Sequence, residues 1–189
     1  MCSTLTFSAE RRVIEIVGPI SGMSVMLYQL QLGEPKPGDK VEIYIDSPGG
    51  EAEVGLAFAD KIQALVKTGV HFKCVANDAI SAAFMIWASC NERQALPYGT
   101  ILFHYPYLPY IQGQLRSTQF EQEAATAKVV EALWKQRWNG YLFGYVSEAN
   151  QNKAATEETQ FFGRQFCLLF APGFCKVVYV YKYLEDKGL

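Results

Sequence analysis

Nine residues, Ile80 to Ala88, form an apolar run broken by a single hydroxyl, that of Ser81. A bilayer span needs about 20 apolar residues, so this run reads instead as a helix buried on all sides of a water-soluble core. A β-prone stretch, His71 to Val75, precedes it through a short polar link, Ala76 to Ala79. Ser81 falls in the first turn, where unpaired backbone N–H groups and the positive end of the helix dipole favour a developing negative charge. The plainer role for a serine there is an N-cap or a small packing residue.

Two further stretches bear on that choice. Upstream, Val41-Glu42-Ile43-Tyr44-Ile45 alternates as a strand does and runs into Asp46-Ser47-Pro48-Gly49-Gly50. From Glu51 to Lys67 apolar residues recur at helical spacing (Val54, Phe58, Ile62, Leu65, Val66). A strand, two glycines and a helix make a place where backbone N–H groups approach a ligand with no Cβ in the way, or simply a turn. Downstream, Pro97 to Pro106 reads as an apolar strand ending at His104, one of only two histidines; the other is His71.

In order and spacing, Asp46-Ser47-Pro48-Gly49-Gly50, Ala79-Ile80-Ser81-Ala82-Ala83 and Leu102-Phe103-His104-Tyr105-Pro106 resemble motifs of ClpP, the proteolytic subunit of the Clp protease. The resemblance covers roughly residues 10 to 163. Ser-Pro-Gly-Gly also occurs in related crotonase-like folds, so the specificity lies in the three motifs together. The resemblance implies an α/β fold, a ClpP/crotonase-like spiral of β-β-α units with a long protruding handle helix. It also implies Ser81 as nucleophile, His104 as general base, and Gly50 and Ala82 N–H groups as oxyanion hole. The family's third member, an aspartate, aligns with Asn152 when Thr156 is matched and with Gln151 when Gly163 is matched. Neither is acidic, and Glu148, Glu157 and Asp186 are the nearby carboxylates to consider.

The remaining chain reads as one domain, 1–189, long enough for a full core. A net charge of −2 gives no footprint for nucleic acid or membrane surface. Five cysteines (Cys2, Cys74, Cys90, Cys167, Cys175) include no CxxC pair and no metal-site spacing, so we expect reduced thiols, a cytoplasmic location and neither metal nor cofactor. No basic segment followed by an apolar stretch marks the N-terminus as secretory.

Arg12 to Gly18 reads as a first strand, and Ser21 to Leu32 as a helix capped by Ser21 with Met23, Met26, Leu27 and Leu30 on one face. The family's longer pre-strand extension docks an unfoldase ring. With about ten residues ahead of the strand here, an AAA+ unfoldase partner is left open. Tyr105 to Tyr110 suits either a groove for extended peptide or an interface rim. A long helix from about 114 to 145, the handle in the family, carries Phe120, Ala124, Ala127, Trp134 and Trp138 on one stripe; the tryptophans suit a ring interface or their own core. Phe166 to Tyr183 reads as a closing strand pair.

Three functions remain open on the sequence. The first is a serine endopeptidase acting on peptide or unfolded protein inside a homo-oligomeric ring, slowed by an uncharged third member. The second is a non-catalytic or conditionally active subunit of a mixed ring. The third is a crotonase-type acyl-CoA enzyme, which would need neither Ser81 nor His104.

Overall fold

The computed structural model describes residues 11–104, 159–178 and most positions between 124 and 147. Among them the strands form one seven-stranded sheet. Strand β1 (Arg11–Val17) alternates as a half-buried strand must: Ile14 and Ile16 are fully buried, while Val13, Glu15 and Val17 face outward. Helix α1 (Gly22–Leu32) starts in a reciprocal capping box. The Ser24 N–H donates to Ser21 Oγ at 3.3 Å and the Ser21 N–H to Ser24 Oγ at 2.9 Å. Its inward face is Val25, Tyr28 and Leu32. The stripe Met23, Met26, Leu27 and Leu30 is exposed, because the ends of the helix are pinned by the buried Ile20 and Leu32 and by Tyr28 against the Phe58 ring at 6.1 Å.

Strand β2 (Lys40–Ser47), helix α2 (Ala52–Lys67) and strand β3 (His71–Ile80) follow, with β1, β2 and β3 in parallel register. The segment 76–80, expected as a polar link, is the second half of β3. Its polar side chains are accommodated because they bond across to neighbouring segments: Asn77 Nδ2 donates to Asp46 Oδ1 at 3.1 Å, and Asp78 Oδ1 accepts the Thr100 N–H at 2.7 Å. Helix α3 (Ala82–Ala88) is buried at every residue, as the apolar run requires. Burial of its Phe84, Met85, Ile86 and Trp87 side chains contributes about 2 kcal/mol each. The Trp87 indole N–H is satisfied by the Gln94 carbonyl at 3.0 Å.

Beyond α3 the chain forms β4 (Glu92–Ala95) and β5 (Thr100–Phe103). The sheet order is β1-β2-β3-β4-β7, β7 being Lys176–Val177, with β5 pairing the far end of β3 and β6 (Thr159–Phe162) antiparallel to β5. Residues between 124 and 141 are helical wherever described; Trp134, Trp138 and the loop 105–110 lie outside the described residues. The segment after β6 corrects the expected strand pair. A short helical turn (Gly163–Gln165) leads into a π-helical turn, Phe166–Phe170, and among the described residues after it only Lys176–Val177, β7, is strand. Its aromatic residues drive this: Phe166 packs on Phe84 and Trp87, and Phe174 on Trp87, all edge-on at 5.7–5.8 Å.

The expectation of reduced thiols is also overturned. Disulfides join Cys74 to Cys90 and Cys167 to Cys175, with Cα atoms 6.0 and 5.1 Å apart. Spacing rules missed them because β3 and the end of α3 bring the first pair together in space, across 16 residues of chain. No helix among the described residues is long and apolar enough to cross a membrane.

Candidate active site

Parallel sheets present their ligands at the carboxyl ends of the strands, above all where a strand changes neighbours. β3 does this. Its first half pairs with β4 through Lys73–Ala76, its last two residues with β5 through Ala79 and Ile80. Ser81 follows directly, at φ 56° and ψ −118°, the one described non-glycine residue with positive φ. For a side chain bearing a Cβ this conformation costs roughly 1–3 kcal/mol and persists only where surrounding structure enforces it. The enforcement is visible: the Ser81 N–H donates to the Leu102 carbonyl at 2.9 Å, and its own carbonyl receives the Phe84 N–H at 3.1 Å. Ser81 occupies the N-cap position of α3, yet its side chain makes no capping hydrogen bond. The plain N-cap role is therefore not what holds a serine here.

The same hydrogen bond ties Ser81 to the strand that leads to His104: Leu102 lies on β5 two residues before it, and His104 directly follows the strand's last residue, Phe103. Both residues are half-buried.

The third component is the turn after β2. Its buried Ser47 hydroxyl donates to the Gly18 carbonyl at 2.7 Å and accepts the Gly49 N–H at 3.1 Å. Gly49 adopts φ 85° and lies directly on Ser81: a Cβ there would meet the Ile80 carbonyl oxygen at 2.5 Å and the Ala82 nitrogen at 3.1 Å. Gly50, at φ 153°, is bridged to Ile20, whose N–H reaches the Gly49 carbonyl at 2.8 Å and whose carbonyl accepts the Glu51 N–H at 3.0 Å. That pattern uses the Gly49 carbonyl and the Glu51 N–H on either side of Gly50. Among the described residues neither the Gly50 N–H nor the Ala82 N–H has an acceptor.

The structure thus brings together Ser81, the strand that ends at His104, Gly49, Gly50 and Ala82. Asn152 and the alternatives Gln151, Glu148, Glu157 and Asp186 lie outside the described residues. Sequence reading missed the polar clamps of Asp46, Asn77 and Asp78 because side chains from different strands meet only in the folded sheet. Burial, followed by the carboxylates of Asp46, Asp78 and Glu15, pushes the pKa of the Tyr44 phenol above its ordinary value.

A cleft of about 500 Å³ lined by Lys40, Val41, Glu42, His71, Lys73 and Glu92 lies at the opposite, N-terminal ends of β2, β3 and β4. Across its strands Lys73 Nζ lies 3.7 Å from Glu42 and His71 Nε2 3.8 Å from Glu92. With strands rising about 3.3 Å per residue, it stands too far from Ser81 to share its chemistry. No cluster of three or more potential metal ligands occurs among the described residues. Compared with known families, the chain matches the model described as Clp protease over residues 4–136.

Proposed function

The chain belongs to the Clp protease family, and on that premise we propose that it is a serine endopeptidase in which Ser81 attacks the scissile carbonyl and His104 acts as general base. His104 takes the hydroxyl proton during attack and returns it to the leaving amine. The Gly50 and Ala82 N–H groups hold the tetrahedral oxyanion. A donor of this kind stabilises the transition state by roughly 3 kcal/mol in other serine proteases. The observation that carries the reading is the strained backbone of Ser81, held at φ 56° with its hydroxyl uncommitted to the helix it precedes. Extended peptide is the substrate class, recognised through its main chain and therefore with little sequence preference.

Closed rings of this chain are the assembly we propose. Support comes from two bare apolar surfaces: the stripe Met23, Met26, Leu27 and Leu30 on α1, and Val13 and Val17 on a parallel-sheet face that such sheets seldom leave uncovered. The non-acidic residue at position 152 favours a second reading, a subunit of the same ring that is slow or inactive alone. A fluorophosphonate probe and a fluorogenic peptide distinguish them. Labelling at Ser81 and cleavage, both lost in Ser81→Ala and His104→Ala, support the peptidase. Rings that neither label nor cleave support the second reading.

A further inference from the structure

Where β3 exchanges β4 for β5 as its neighbour, Asn77 and Asp78 fall between the two ladders: pairing with β4 ends at Ala76 and pairing with β5 begins at Ala79. The β3–β5 ladder holds two registered pairs, Ala79 with Ile101 and Ile80 with Leu102. So short a parallel ladder fixes register weakly by itself. A side chain supplies the missing constraint. Asp78 Oδ1 accepts the N–H of Thr100, the first residue of β5, at 2.7 Å. On the other side of β3, Asn77 Nδ2 ties to Asp46 at 3.1 Å; on the β5 side, Gly99 lies so close that a Cβ would meet the Asn77 carbonyl oxygen at 1.8 Å.

We propose that Asp78 is a positioning residue for the Ser81–His104 pair, setting the register in which β5 delivers its Leu102 carbonyl to Ser81 and leads the chain into His104. The route is short and covalent after the first contact. Asp78 holds Thr100; two residues on, Leu102 accepts the Ser81 N–H; two further on stands His104. A carboxylate acceptor is suited to the task because hydrogen bonds to charged groups are stronger than neutral ones. A shift of about 1 Å in a catalytic group can cost on the order of 100-fold in rate, so a register constraint outside the site bears on turnover. The catalytic consequence rests on the peptidase reading above; the register consequence does not.

The experiment compares Asp78→Ala with Asp78→Asn, which keeps an acceptor oxygen in the same place, in the full chain. Hydrogen exchange at single-amide resolution reads the register directly. Asp78→Ala should speed exchange at Thr100 and at Ser81 by about tenfold, the worth of one charge-assisted bond, with β1 and β2 amides unchanged. Asp78→Asn should stay within about threefold of wild type on that same scale. Peptide turnover should follow: kcat falls in Asp78→Ala with KM little changed, and Asp78→Asn rescues it. Unchanged Ser81 exchange in Asp78→Ala overturns the proposal, as does an Asn variant as damaged as the Ala variant. If the wild-type protein neither labels nor cleaves, the peptidase reading fails, and the exchange comparison alone decides whether Asp78 sets the register.

Discussion

Gly49 and Ser81 touch so closely that a Cβ on the glycine would stand 2.8 Å from that of the serine. The contact joins the turn after β2 to the strained corner after β3. It leaves no room for any side chain at position 49, where φ is 85° in any case. Gly49→Ala should therefore destabilise the fold by about 3 kcal/mol, combining left-handed strain with a backbone clash at the Ile80 carbonyl. Thermal unfolding measures this. A loss under about 1 kcal/mol would mean that the turn relaxes freely away from Ser81.

Ser81 itself offers a cleaner test of stored strain. Ser81→Gly removes the Cβ at φ 56° and should be more stable than Ser81→Ala by about 1 kcal/mol. Both variants should lose peptide cleavage and probe labelling alike. Equal stability of the two would show that the corner costs nothing, and the argument from strain to function would lose its footing.

The two disulfides close loops across separations of 16 and 8 residues. On chain-entropy grounds such loops stabilise by about 3 and 2.5 kcal/mol. Cys167–Cys175 carries the larger consequence for the site, because its loop packs Phe166 and Phe174 onto α3. Cys167→Ser with Cys175→Ser should lower the melting temperature under oxidising conditions and leave it unmoved once the wild type is fully reduced as reference. Mass spectrometry of alkylated, unreduced protein should count the four thiols as blocked. Free thiols at these positions would remove the effect.

Tyr141 is half-buried, and its buried hydroxyl finds no hydrogen-bond partner among the described residues. Burial is the main cause that pushes its ionisation from 10.0 up to about 12, with Arg137 opposing and Asp60 adding. The unfolded chain then loses this proton first. Between about pH 10 and pH 12 the folded state holds more protons, so stability falls as pH rises. Tyr141→Phe should flatten that decline. At pH 7 it should be neutral or gain up to about 1 kcal/mol, since it deletes an unsatisfied polar atom. A clear loss at pH 7 in chemical denaturation would reveal a partner for the hydroxyl.

What the sequence made legible was local. The strand-glycine-glycine-helix unit, the buried α3 and the strand ending at His104 all announce themselves by period and by turn residues, because each depends on neighbours within a few positions. Three features did not. Asn77 and Asp78 read as loop residues because nothing local says that Asp46 and Thr100 will meet them. The stripe Met23, Met26, Leu27 and Leu30 shows helical period without saying which side faces the sheet. The cysteine pairs depend on the path of β3 and α3, which spacing along the chain does not encode.

Position 152 provides the last test, one of sequence alignment as much as of chemistry. Asparagine can orient the His104 ring, but it supplies no charge to the imidazolium that forms during attack and can hold the wrong tautomer. In a trypsin-type triad the same exchange of aspartate for asparagine costs about 10⁴ in turnover. If Asn152 faces the Nδ1 of His104, Asn152→Asp should raise kcat for a small peptide by at least about tenfold, and Asn152→Ala should change it little. The Ser81→Ala and His104→Ala variants should meanwhile cost about the same as each other, because nucleophile and base act as one unit. An Asn152→Asp variant no faster than wild type would point to Gln151, Glu148, Glu157 or Asp186 instead. Repeating the acid scan at those positions would then identify the partner, since only a carboxylate that reaches the imidazole can stabilise its cation and shift the pH–rate profile.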